Sequence, residues 1–188
     1  MTRTTRNIVL GYGIVAGLIV GVPMVALMLT LTADTAPDNG ALFGYSTMIV
    51  ALTAVFLGIK HYRDKVLGGA VKFVPALLVG LGISAVASVI YALGWELSIA
   101  LTGFDFSASY TQAMLDAARA KGASAEELAR ITEQAVAFAR MYANPLYRLP
   151  ITFVEMFPVG VVISVLSAAL LRNSGFLAAR GGRSALNG

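Results

Sequence analysis

Residues 43–96 read FGYSTMIVALTAVFLGIKHYRDKVLGGAVKFVPALLVGLGISAVASVIYALGWE, two long apolar runs joined by a short charged turn. Each run reaches the length of about 20 apolar residues that a helix needs to cross a bilayer at 1.5 Å per residue. The turn carries Lys60, His61, Tyr62, Arg63, Asp64 and Lys65, then Gly68, Gly69 and Lys72. Cations gathered between two apolar spans mark a cytoplasmic loop. The stretch therefore predicts a transmembrane helical hairpin around which the remaining chain is arranged.

Composition agrees. Of 188 residues, 57% are hydrophobic and 13% charged, with mean hydropathy +0.77. Soluble domains carry about 25% charged residues, so the chain reads as a single membrane domain over residues 1–188. The absence of Cys removes disulfides, thiolate metal sites and cysteine nucleophiles. A single His leaves no His cluster for a metal.

Outward from the central stretch, Arg3 and Arg6 precede an apolar run over about 8–31. That run is about twice the length of a signal-peptide core, and no A-x-A site follows it, so a retained span is expected. Gly13, Gly17 and Gly21 stand four apart on it, a spacing that lets another helix approach closely. The close partner is either another span of the same chain or the same face of a second copy. An acidic turn with Asp34, Pro37, Asp38 and Asn39 leads to the second span, about 41–59. The third span covers 73–102. On it Gly80, Ser84, Ser88 and Ala92 form a ridge of small residues, and Tyr91 and Trp95 lie near its far end. The fourth covers 150–171 with Pro158 inside, where a kink is expected because a backbone hydrogen bond is lost. A Gly-, Ser- and Arg-rich tail over 173–188 is expected to be disordered.

Residues 105–147 differ in character, being Ala-rich and charged. Gly122 divides two helical patterns, and Ser124 with Glu127 fits the S-x-x-E capping box. Leu128, Ile131, Ala135, Phe138 and Tyr142 recur every three or four residues, an amphipathic pattern rather than a span. These residues predict an extracytoplasmic helical hairpin between spans three and four.

Charge sets the orientation. With the N-terminus cytoplasmic, nine cations and one anion fall inside, against five cations and seven anions outside. All four spans then satisfy the positive-inside rule with both termini cytoplasmic. The excess positive charge is thereby explained, and nucleic acid is not an expected partner.

Two carboxylates interrupt the apolar runs, Glu96 and Glu155. A charge inside a bilayer costs at least about 2.5 kcal/mol, so each needs a partner, water or a proton. Counted from the span ends, both are expected at matched depth near the outer boundary, within reach of Arg148. They are either structural hydrogen-bonding groups or a paired site for a proton, cation or cationic ligand. His61, among Lys60, Arg63 and Lys65, reads as a solvated loop residue rather than a pH switch. The Arg63–Asp64 pair and the Gly68-Gly69 step read first as devices that shape the loop.

The central stretch, with Gly44-Tyr45 and Met48 opening a span, Gly58-Ile59-Lys60 and Tyr62-Arg63-Asp64 closing it, then Gly68-Gly69, Phe73 and Gly80, resembles the bacterial inner-membrane family known as domain of unknown function 4199. The resemblance implies an uncharacterised four-span membrane protein of the bacterial inner membrane and carries over no catalytic residues.

The expected fold is an all-α integral membrane protein, four transmembrane helices with the extracytoplasmic hairpin added. The expected function is a non-enzymatic accessory or structural subunit acting through helix packing and the hairpin. The competing reading is a small oligomeric transporter or proton-linked permease using Glu96 and Glu155. No cofactor or metal is implied. Membrane lipids, and a homodimer or larger membrane-protein complex, are the expected partners.

Overall fold

The computed structural model describes residues 2–30 and 40–178. Asp34 and Asp38 of the acidic turn, and Arg180 and Arg183 of the tail, lie outside the described residues. Among the described residues six α-helices follow in order: α1 Arg3–Thr30, α2 Gly40–His61, α3 Phe73–Thr102, α4 Phe106–Ala120, α5 Ala125–Tyr142 and α6 Pro145–Leu171. A π-helical turn, Tyr62–Val66, extends α2. Among the described residues there are no strands.

Helices α1, α2 with its π turn, α3 and α6 are long and apolar enough to cross a bilayer. They pack as a four-helix bundle in which α1 and α6 stand diagonally, each against both α2 and α3. Only 33–39% of each apolar window is buried inside the protein, so most of it needs an apolar surround. The outward faces carry Val50, Leu78, Val89, Val154 and Val162, all exposed. Inside, Ala16, Leu52, Ile59, Ile83, Met156 and Leu171 are buried in one continuous core.

Local chemistry sets the helix ends. Gly103 adopts the left-handed conformation at φ 66° and closes α3 through its N–H to the Ile99 carbonyl. Asp105 caps α4, accepting from the Ala108 N–H at 3.0 Å. Ser124 caps α5, accepting from the Glu127 N–H at 3.2 Å, as the S-x-x-E spacing predicts. Asn144 caps α6, accepting from the Leu146 N–H at 3.0 Å, with Pro145 in the first turn where no N–H is needed.

Three element boundaries depart from the sequence expectation. The first helix starts at Arg3, with Thr5 buried, rather than near residue 8. Helical winding in α2 runs past residue 59 to Val66, because Lys60 and Arg63 both hold Asp64 and keep the chain coiled. The last long helix starts at Pro145, five residues before the apolar run, because Asn144-Pro145 is a strong start signal. It continues without a break through Pro150 and Pro158.

Candidate functional site

The junction of α3, α5 and α6 holds a cluster of polar side chains. Arg148 on α6 grips Glu96 on α3 with two parallel bonds, Nε to Oε1 at 2.6 Å and Nη2 to Oε2 at 2.5 Å. Its third nitrogen, Nη1, donates to the Tyr142 carbonyl at 2.9 Å, and the guanidinium lies over the Tyr142 ring, 5.5 Å from its centroid. Trp95, the neighbour of Glu96, donates Nε1 to the Tyr142 hydroxyl at 2.8 Å. The Phe106 ring sits edge-on to Trp95 and tilted against Tyr142, and Tyr110 and Phe138 extend the cluster between α4 and α5. Burial raises the Tyr142 phenol above its ordinary pKa, partly offset by the Trp95 bond and the Arg148 charge. The result is a lock that ties the ends of two spans to α4 and α5.

The expected matched pair of carboxylates is not level. Glu155 follows Arg148 by seven residues on α6, about 10 Å further along the helix. The physical reason is the early start of α6, which brings Arg148 level with Glu96 and carries Glu155 deeper. There Glu155 stands beside the Tyr91 phenol of α3. The structure therefore joins Glu96 with Arg148 and sets Glu155 apart.

Small residues form two seams. A Cβ at Gly13 would stand 2.6 Å from the Val86 Cβ, and one at Gly17 would stand 2.6 Å from the Ile90 Cβ. The glycine face of α1 is thus used inside the bundle against α3. A Cβ at Gly21 would have the Ile90 carbonyl oxygen as its nearest atom, at 4.0 Å, although Gly94 of α3 still lies close, its own Cβ position 3.5 Å from the Gly21 Cα. Leu18, Val22, Leu93, Gly94 and Leu97 line an apolar groove there. In the second seam, between α3 and α6, a Cβ at Gly80 would meet the Ser164 Oγ at 2.8 Å. One at Gly160 would meet the Ser84 Cβ at 2.6 Å. The Ser84 and Ser164 hydroxyls face each other at 3.3 Å, and Ser164 donates to the Gly160 carbonyl at 2.7 Å. Ser88, the next small residue on that ridge, is fully buried, and its hydroxyl has no hydrogen-bond partner among the described residues.

In the loop between α2 and α3, Asp64 accepts from Lys60 Nζ at 2.5 Å and from Arg63 Nε at 2.6 Å. Arg63 has no exposed surface. Its Nη1 and Nη2 donate to the carbonyls of Phe176 and Leu177, at 2.7 and 2.9 Å. The expected disorder from residue 173 is corrected here: residues 173–177 form turns held by Arg63 and by Phe56 packed edge-on against Phe176. Gly68 and Gly69 have φ of +71° and +106°, which a side chain would strain, and Gly69 N–H bonds to the Arg63 carbonyl at 2.9 Å. His61 is exposed and meets the Tyr12 hydroxyl through Nδ1 at 3.1 Å.

Sequence reasoning placed Glu96, Arg148, Arg63 and Asp64 in polar roles but missed several of their partners. Gly160 and Ser164 stand four apart, a spacing that could have marked them as the mate of the Gly80–Ser84 ridge. Phe106 and Tyr110 also stand four apart, matching Phe138 and Tyr142. No local signal foretold the reach from Arg63 to residues 176–177.

No curated protein and no solved structure matches this chain. The model of a family described as protein of unknown function, DUF4199, matches residues 12–173. That match takes in α1 from residue 12, the whole of α2, α3 and α6, and the α4–α5 pair, and the chain belongs to this family.

Proposed function

We propose that the protein is a non-enzymatic accessory or structural subunit of a bacterial inner-membrane assembly. Its four long helices cross the membrane with both termini cytoplasmic, and α4 and α5 form a periplasmic hairpin that meets a partner. The distribution of cations supports this orientation: Lys60, Arg63, Lys65 and Lys72 lie at the end of the bundle shared by the start of α1.

One observation carries the reading. Helix α4 has no buried residue, yet the hairpin is fastened to the bundle through Trp95, Tyr142, Arg148 and Glu96. Such rigid fastening of an open surface suits a surface offered to another molecule. Tyr110, Met114 and Val136 are exposed on it. The permease alternative keeps only Glu155, since Glu96 is held at both oxygens by Arg148.

The test is gentle solubilisation of the tagged protein from its native membrane, with mass measurement and identification of what co-purifies. A stoichiometric second protein, lost on Val136→Asp while the bundle keeps its melting temperature, supports the accessory role. A clean monomer or homodimer overturns it.

A further inference from the structure

Glu155 lies on the outward face of α6. Ile151, Pro158 and Val162, which share its helical stripe, are exposed as it is. A carboxyl group therefore interrupts an apolar stripe about 15 Å from the start of a membrane-crossing helix. Among the described residues no cation pairs with it. Arg148 is the basic side chain nearest along its helix and is taken by Glu96. The groups that bear on it from neighbouring elements are all phenols. Tyr91 on α3 stands beside it, Tyr45 on α2 lies near Tyr91, and Tyr142 on α5 lies within electrostatic reach of both carboxylates.

Two further groups lie close in sequence. Pro158 has no N–H to give to the Val154 carbonyl, so an acceptor is left in the turn that holds Glu155. Ser88, one turn from Tyr91 on α3, carries the buried hydroxyl without a partner. A lone carboxylate with hydroxyls supplies too few oxygens for a Ca²⁺ or Mg²⁺ shell. It suffices for a proton.

The geometry points to Glu155 as a proton-binding site within the membrane, open sideways to the lipid, with Tyr91 as its positioning residue. Glu155 holds the proton as a neutral carboxylic acid and releases it as a carboxylate that accepts from the Tyr91 hydroxyl. The site is separate from the Glu96–Arg148 lock and does not depend on the accessory role proposed above.

The test is modification by dicyclohexylcarbodiimide of the full chain in phosphatidylethanolamine–phosphatidylglycerol vesicles. This apolar reagent reaches carboxylic acids from the hydrocarbon phase. The acid O–H adds across one N=C bond: the carboxyl oxygen bonds to the central carbon, the proton passes to nitrogen, and no group leaves. The adduct rearranges to a stable N-acylurea of the same mass. Peptide mass spectrometry is expected to place the adduct on Glu155 and not on Glu96. Labelling falls about tenfold per pH unit once the carboxyl ionises. Tyr91→Phe, with an unchanged melting temperature, moves the pH of half-labelling, while Glu155→Gln abolishes the adduct. Glu155 unlabelled at every pH in vesicles but labelled after denaturation overturns the proposal. So does labelling independent of pH, equal labelling of Glu96, or an unmoved half-labelling pH in Tyr91→Phe.

Discussion

Arg148 meets Glu96 in a planar, two-bonded fork, and the two residues lie 52 positions apart on helices that run in opposite directions. Their side chains are only 11% and 20% exposed. A fork of this kind is stronger and more specific than a surface ion pair. Removing one partner leaves a largely buried charge without its mate. Glu96→Gln is expected to lower stability by about 2 kcal/mol, the worth of hydrogen bonds to a charged group. Thermal unfolding in detergent checks this. The double variant Glu96→Gln with Arg148→Gln should be less destabilised than the two single losses added together. Full additivity would show that the pair does not couple.

The glycine seams give a contrast within one helix. Gly17→Ala places a methyl 2.6 Å from the Ile90 Cβ, and the helices must part. Overpacking of this kind costs about 1–3 kcal/mol. Gly21→Ala meets nothing nearer than 4.0 Å, and alanine is favoured over glycine in a helix by about 1 kcal/mol. Melting temperature should fall for the first and hold or rise for the second. Equal effects would mean that α1 does not sit on α3 as described.

Arg63 latches the chain beyond α6 to the loop between α2 and α3. Arg63→Lys keeps the charge but loses the fork that spans both carbonyls, each bond being worth about 1.5–3 kcal/mol. Faster amide exchange and proteolysis over residues 172–178 are expected, with α3 and α4 unaffected. Unchanged exchange in that segment would remove the latch from the account.

Asp105 supplies a pH prediction. The Ser107 hydroxyl and the Ala108 N–H hold its carboxyl below the ordinary range. A depressed folded-state pKa adds stability that is fully present above the unfolded value of about 3.9. That stability is lost as pH falls through the folded value. The protection factor of the Ala108 amide, its slowing relative to the intrinsic rate at each pH, should therefore be flat from neutral pH down to about 4 and fall below it. In Asp105→Ala the amide should be unprotected at every pH. A protected Ala108 amide in that variant would mean the cap does not hold it.

The protein has no cysteine, so single cysteines can report its orientation. Ala123→Cys, between α4 and α5, is expected to react with an impermeant maleimide added outside spheroplasts. Leu67→Cys, in the loop before α3, is expected to react only after lysis. The reverse pattern would invert the orientation proposed above.

What the sequence disclosed follows from the range of the forces involved. The long helices were legible because about 20 apolar residues in a row have few other uses. The cap at Ser124 was legible because capping is a contact across two or three residues. The depth of Glu155 was misjudged because the apolar run starts at 150 while the helix starts at Pro145. Hydropathy marks where a helix is greasy, not where it begins. The link from Arg63 to Phe176 spans 113 residues and leaves no periodic trace. The mating of Gly160 with Ser84 is of the same kind: each spacing was visible, but which ridges meet is decided by the order of helices in the bundle.

That order has a consequence for biosynthesis. Helix α3 leaves the ribosome with Glu96 and the Gly80–Ser84 ridge exposed, and both are completed only by α6, the last long helix made. At 5–20 residues per second, Arg148 follows Glu96 by roughly 3–10 s. During that delay α1, α2 and α3 can associate, but one side of the bundle stands open with an unpaired carboxylate. Chains cut short before α6 would keep that side open, and they are the forms that membrane quality control should recognise and remove.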